Sequence, residues 1–96
     1  MTWTTQKDLE AVIRRINIAA GAPLEPYSVV VQEDGTKKYK ANVGNYHLDR
    51  AYGGYQLQRM YNASGGVTEP LGGGYVSKRE LFGRLHAYLM GMQDDA

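Results

Sequence analysis

Three groups of residues in this chain have types and spacings suited to chemistry. The first is His47 with Asp49, two residues apart and so on one face of an extended strand. A carboxylate that orients an imidazole makes a base. A base of this kind needs a nucleophile, and no cysteine occurs and no serine sits in a G-x-S-x-G turn. His86 is the other histidine, and the two form no H-x-x-x-H pair for a metal. No lysine follows a G-x-x-x-x-G phosphate loop. The plainer reading is two polar surface residues. The sequence thus carries no positive case for catalysis, and neither a cofactor nor a metal is expected.

The second group is Gly72, Gly73 and Gly74 running into Ser77-Lys78-Arg79-Glu80. S-x-x-E ahead of an apolar run is a capping box, so a helix should start at Ser77. Lys78 and Arg79 then fall in its first turn, where cations oppose the helix dipole. A bound anion reverses that balance, because free backbone N–H groups and two cations would both face it. The alternative is two exposed charges at a cost of about 0.3–1 kcal/mol each.

The third group is a duplicated motif, Y-x-L-x-R-x-Y, from Tyr46 to Tyr52 and again from Tyr55 to Tyr61. Gly53-Gly54 lies between the copies and suits a two-residue hairpin loop. Tyr52 should then face Tyr55, Arg50 face Leu57, Leu48 face Arg59, and Tyr46 face Tyr61. All four tyrosines, both leucines and both arginines would share one side, with His47, Asp49, Ala51, Gln56, Gln58 and Met60 on the other. A rival reading makes Leu57, Met60 and Tyr61 one face of a short helix. Tyr rings and guanidinium groups stack on bases and pair with phosphates. The same residues would equally make a protein-binding hot spot or the edge of a Tyr-rich core. Tyr46, Arg50, Tyr52, Tyr55, Arg59, Lys78 and Arg79 are the candidate ligand residues, with Gly72, Gly73, Gly74 and Ser77 as the anion-binding loop.

Those residues need elements to hold them. Residues 5–20 read as a helix, with Leu9, Val12, Ile13, Ile16 and Ala20 on one stripe, a Thr5 cap, a Glu10–Arg14 pair and a Gly21 stop. Arg14 and Arg15 read as solvated, and Trp3 should fold back onto the domain, with an exposed anchor as the alternative. Residues 27–32 and 37–43 read as strands around an Asp34-Gly35 turn, the second with one wet face of Lys38, Lys40 and Asn42. Val43-Gly44-Asn45 turns the chain into strands 46–52 and 55–61. Residues 62–76 read as a glycine-rich loop, and residues 77–92 as a helix buried through Leu81, Leu85, Tyr88, Leu89 and Met92. Gly83 inside that helix suggests close packing, and Gln93-Asp94-Asp95-Ala96 is a polar tail that should fray.

The fold expected is one α+β domain over residues 1–96. It is a two-layer sandwich of helix, antiparallel sheet of three to four strands in two hairpins, and helix. The Tyr/Leu/Arg face should meet the helices, with its arginines reaching to the rim.

Composition bounds the function. The chain has 96 residues, net charge +1, no cysteine, eight tyrosines against one phenylalanine, and twelve glycines. The charge predicts no strong nonspecific pull on nucleic acid. The absence of a basic, apolar leader and of a long apolar run predicts a cytoplasmic location with no membrane partner. A small sheet with open edges predicts a homo-oligomer, a dimer or higher.

Residues 42–48, Ala51-Tyr52-Gly53-Gly54, Asn62, Gly65-Gly66 and Ser77–Leu81 resemble a group of small proteins encoded by tailed bacteriophages, over residues 40–92. That resemblance implies an accessory protein in the infected host's cytoplasm that acts by binding. Its expected partner is a small anionic, nucleotide-like ligand, as in sequestration of a host defence signal, or else a host protein that it inhibits. The helix–sheet–helix order is also similar to double-stranded RNA-binding domains, whose second helix straddles phosphates. Lys78 and Arg79 stand in that place without the longer basic cluster.

Overall fold

The helix α1, Gln6–Ala20, opens on a complete capping box. The Thr5 hydroxyl accepts from the Asp8 N–H at 3.2 Å, and the Asp8 carboxylate accepts from the Thr5 N–H at 2.8 Å. It closes on Gly21, whose φ of 66° lets Gly21 N–H reach Ile18 C=O and Ala22 N–H reach Asn17 C=O. Leu9, Val12, Ile13 and Ile16 are buried as the periodicity requires. Ala20 is exposed, and the stripe continues instead through Asn17, only 2% exposed. The Asn17 amide grips the first residue of the central hairpin, donating to Tyr46 C=O at 2.9 Å and accepting from Tyr46 N–H at 2.8 Å. Glu10 accepts from Gln6 at 3.0 Å rather than pairing with Arg14. Arg14 and Arg15 are exposed.

These features come from a computed structural model that describes residues 3–94. After α1 the order is β1 (Tyr27–Val31), β2 (Lys37–Ala41), β3 (Tyr46–Ala51), β4 (Gly54–Met60), β5 (Val67–Thr68) and α2 (Lys78–Asp94), an α+β chain. The rival helix over Leu57–Tyr61 is excluded, since those residues lie in or just beyond β4. Gln93 and Asp94 continue α2, and the tail's last two residues lie outside the described range.

The four predicted strands do not form one sheet. β1 and β2 make a separate two-stranded ribbon, while β3, β4 and β5 make a three-stranded sheet. The β1–β2 loop is Glu33-Asp34-Gly35, closed by Gln32 N–H to Thr36 C=O at 2.8 Å, with Gly35 at φ 84°. The Asp34 carboxylate accepts from the Thr36 N–H and hydroxyl, and this holds it below the usual carboxylate range. Apart from Ala41 at its base, both faces of the ribbon are exposed, so β2 has no dry side. The radius of gyration is 14.8 Å and the longest dimension 53 Å. A compact chain of this length has a radius near ~12.5 Å, and the projecting ribbon accounts for the excess.

The register of the central hairpin differs from the expected one by two residues. Tyr46 faces Arg59, Leu48 faces Leu57, Arg50 faces Tyr55 and Ala51 faces Gly54. The turn is therefore Tyr52-Gly53, with φ of 54° and 72°. A two-residue slip keeps the side chains that remain in the strands on their predicted face, whereas a one-residue slip reverses it. Tyr52 instead falls in the turn and Tyr61 just beyond β4, and both are exposed. The Tyr/Leu/Arg face does meet the helices. Tyr46 and Leu57 join Leu9, Val12, Ile13, Ile16, Leu81, Leu85 and Leu89 in one core, with Leu48, Tyr55, Phe82, Tyr88 and Met92 around it. Arg50 and Arg59 reach the exposed rim.

Residues 62–76 are less irregular than expected. β5 pairs with the end of β4, Met60 opposite Val67, and Val76 bridges Tyr55. Gly83 is exposed, and among the described residues nothing packs within 4 Å of the position a side chain would take there.

Candidate functional site

Ser77 caps α2, its hydroxyl accepting from Glu80 N–H at 3.2 Å and its carbonyl from Leu81 N–H at 2.9 Å. The reciprocal half of the capping box is missing, because Glu80 turns to Arg84 at 3.7 Å instead. Among the described residues the Lys78 and Arg79 N–H groups find no protein acceptor. The start of α2 lies beside β4, because Tyr55 and Val76 exchange backbone bonds of 2.7 and 2.9 Å. This places Lys78 Nζ 5.7 Å from the centre of the Tyr55 ring. A cleft of about 600 Å³ opens there, lined by Trp3, Thr4, Gly53, Tyr55, Ser77, Lys78 and Arg79.

Four of the candidate residues thus share one wall: Tyr55, Ser77, Lys78 and Arg79. Arg50 and Tyr52 line an adjoining hollow of about 440 Å³ that shares Gly53 and Tyr55. Tyr46 and Arg59 sit at the opposite end of the hairpin, roughly 13 Å along the strand. Tyr46 is buried, and its hydroxyl is hydrogen-bonded to that of Tyr88 at 2.8 Å. Arg59 lies over the Tyr46 ring at 4.8 Å and donates to Gly44 C=O at 3.2 Å. Both belong to the core edge, not the cleft. Burial and the Tyr46 bond push the Tyr88 phenol up to about 12.

The glycine triplet does not line the cleft. Its φ angles of 65°, 76° and 74° form a left-handed bend that carries the chain back to β4. A side chain at Gly73 would strike the Arg84 guanidinium at 2.9 Å. The triplet therefore delivers the helix start rather than cradling an anion itself.

Trp3 is the residue that sequence reading misplaced. It is 82% exposed, and it forms one side of the cleft instead of folding into the domain. The usable signal was its position just ahead of a strong cap at Thr5, which fixes where the chain enters α1.

His47 and Asp49 are not isolated surface groups. On the sheet face away from the helices, His47 Nε2 lies 3.3 Å from Gln58 Oε1, and the Gln58 amide donates to Asp49 at 3.3 Å and Gln56 at 2.9 Å. Tyr75 donates its hydroxyl to Asp49. That bond, first among the causes, raises the Tyr75 phenol to about 12. The network straps the glycine-rich segment onto the sheet. His86 packs edge-on against Phe82 at 4.5 Å. Among the described residues no group of three or more His, Asp or Glu is arranged to hold a metal. Among the described residues no helix is long and apolar enough to cross a membrane.

No protein-family model, curated protein or solved structure matches the chain in the comparisons made with it.

Proposed function

We propose that this is a non-enzymatic binding protein whose ligand is a small anion bearing an aromatic ring, of the nucleotide class. The reading is carried by one observation: two cations and two N–H groups with no partner among the described residues, at the start of α2, border a cleft walled by Tyr55 and Trp3. Phosphate would take the helix start, and a base would lie against the indole or phenol. Arg50 and Tyr52 stand one hollow away, within reach of a longer ligand. The resemblance to phage proteins gives the biological setting, sequestration of a nucleotide signal in the host cytoplasm.

The chain's single tryptophan is Trp3, so its fluorescence reports on the cleft directly. Titration with cyclic and linear nucleotides should quench it and raise the melting temperature. The double variant Lys78→Ala/Arg79→Ala should weaken binding at least about tenfold, as loss of one charge-assisted bond alone removes ~1.5 kcal/mol or more. Its stability should change by less than about 1 kcal/mol, because relief of the dipole conflict offsets the lost Lys78–Tyr55 contact. A panel of nucleotides that neither quenches Trp3 nor shifts melting removes the proposal.

A second reading is inhibition of a host protein through an exposed surface. The observation in its favour is the β1–β2 ribbon, whose valines and Tyr39 stand in solvent. Recovery of one stoichiometric host protein from bacterial lysate, lost on truncating the ribbon, would support it. An RNA-binding-domain reading needs one continuous sheet, and here the sheet breaks between β2 and β3.

A further inference from the structure

The two edges of the β1–β2 ribbon are unlike. Gln32 N–H bonds to Thr36 C=O and Asn42 N–H to Pro26 C=O, each at 2.8 Å. Hydrogen-bonded pairs alternate along an antiparallel ladder, so Ser28 and Val30 turn their backbone groups towards β2. Tyr27, Val29 and Val31 turn theirs outwards, as Lys37, Tyr39 and Ala41 do on the other strand. The Ala41 N–H is taken by Ala63 C=O at 3.3 Å. The β2 edge also carries Lys37, Lys38 and Lys40, the charge that keeps an open edge from pairing.

β1 has no such guard. Tyr27-Ser28-Val29-Val30-Val31 contains no charge and no proline. Among the described residues it pairs with β2 alone. All five of its side chains are exposed. An uncharged, valine-rich edge with open donors and acceptors is a template for strand addition.

We infer that β1 is a self-association edge whose occupant is a second copy of this chain, joined β1 to β1 antiparallel about a two-fold axis. The strand is complementary to itself. Turned end over end about Val29, the five residues of β1 bring no like charges together, and the glutamates Glu25 and Glu33 approach one another only beyond the strand ends, while the lysines fall on the two outer strands of the four-stranded ribbon so formed. The outward N–H and C=O groups of Tyr27, Val29 and Val31 then gain partners. A two-stranded ribbon, marginal alone in water, gains two strands. This inference stands apart from the cleft and survives if no nucleotide binds there.

Sedimentation equilibrium on the full chain over a range of concentrations tests it. The wild type should show a dimer mass. Val29→Lys should raise the dissociation constant by at least about tenfold, because like charges then face each other across the seam. Val29→Pro should do the same by removing an outward N–H while sparing the bonds to β2. Tyr39→Lys, on the other edge, should leave the constant within about twofold, since exposed sites away from the seam tolerate change. Circular dichroism should be unchanged in all three. A wild type that stays monomeric at the highest concentration reached overturns the inference. So does a dimer indifferent to both Val29 variants, or one that Tyr39→Lys weakens as much as Val29→Lys.

Discussion

Tyr75 and Asp49 show how a single bond in this protein can be read out in solution. The phenol ordinarily ionises near 10.0, and the bond to Asp49 favours its neutral form up to about 12. A group whose native pKa is raised stabilises the fold in full below its ordinary value. That contribution is lost as pH rises from 10 through about 12. Phenolate absorbance should therefore show two late tyrosines, Tyr75 and Tyr88. Asp49→Asn should bring Tyr75 back towards its ordinary value and leave Tyr88 late. If both still titrate late, the bond to Asp49 is not what holds Tyr75. At this scale the sequence was only partly readable. The types and spacing of Tyr55, Lys78 and Arg79 were enough to nominate them, because caps and strand alternation are local. The role of Asn17 was hidden, since an amide on an otherwise apolar stripe gains meaning only from the chain it meets 29 residues on.

The elements explain why two adjacent glycines were read as one device. Gly53 serves the turn, at φ 72°. Gly54 serves close approach, since a side chain there would lie 3.0–3.1 Å from Tyr75 Cβ, Tyr75 carbonyl carbon and Val76 N. Pairing rules favour glycine or asparagine at both turn positions, so Tyr52 in a left-handed conformation ran against the expected register. Tyr52 is 94% exposed and sits edge-on to Tyr75 at 5.5 Å, a contact that offsets part of its strain. Opposite outcomes follow for two glycine substitutions in urea denaturation. Gly54→Ala should destabilise by about 1–3 kcal/mol through crowding of β4 against Tyr75 and Val76. Gly83→Ala should stabilise by about 0.5–1 kcal/mol, because the helix position is open and only glycine's backbone entropy is lost. A destabilised Gly83→Ala would mean that something packs on that face after all.

For the whole molecule, the α+β class and the inward Tyr/Leu/Arg face were legible from periodicity, because a two-residue slip preserves faces. The split into two sheets was not, since nothing in the residues of β2 and β3 states whether neighbouring hairpins share an edge. The body and the ribbon should therefore differ sharply in what they contribute. Leu85, fully buried between helices and sheet, should cost about 2–5 kcal/mol as Leu85→Ala. Val30→Thr on the ribbon should stay within about 0.5 kcal/mol in the isolated monomer. Comparable losses at the two sites would show that the ribbon is part of the cooperative core.

The contacts that lock the body join distant parts of the chain, Asn17 to Tyr46 across 29 residues and Tyr46 to Tyr88 across 42. During synthesis α1 and both hairpins leave the ribosome before α2 exists to cover them. Non-local closure of this kind slows folding and prolongs exposure. Throughout that interval the valine-rich β1 strand is already complete. On a crowded polysome, neighbouring nascent chains would carry the same unguarded strand, so the edge proposed to pair mature copies is also where premature aggregation would begin.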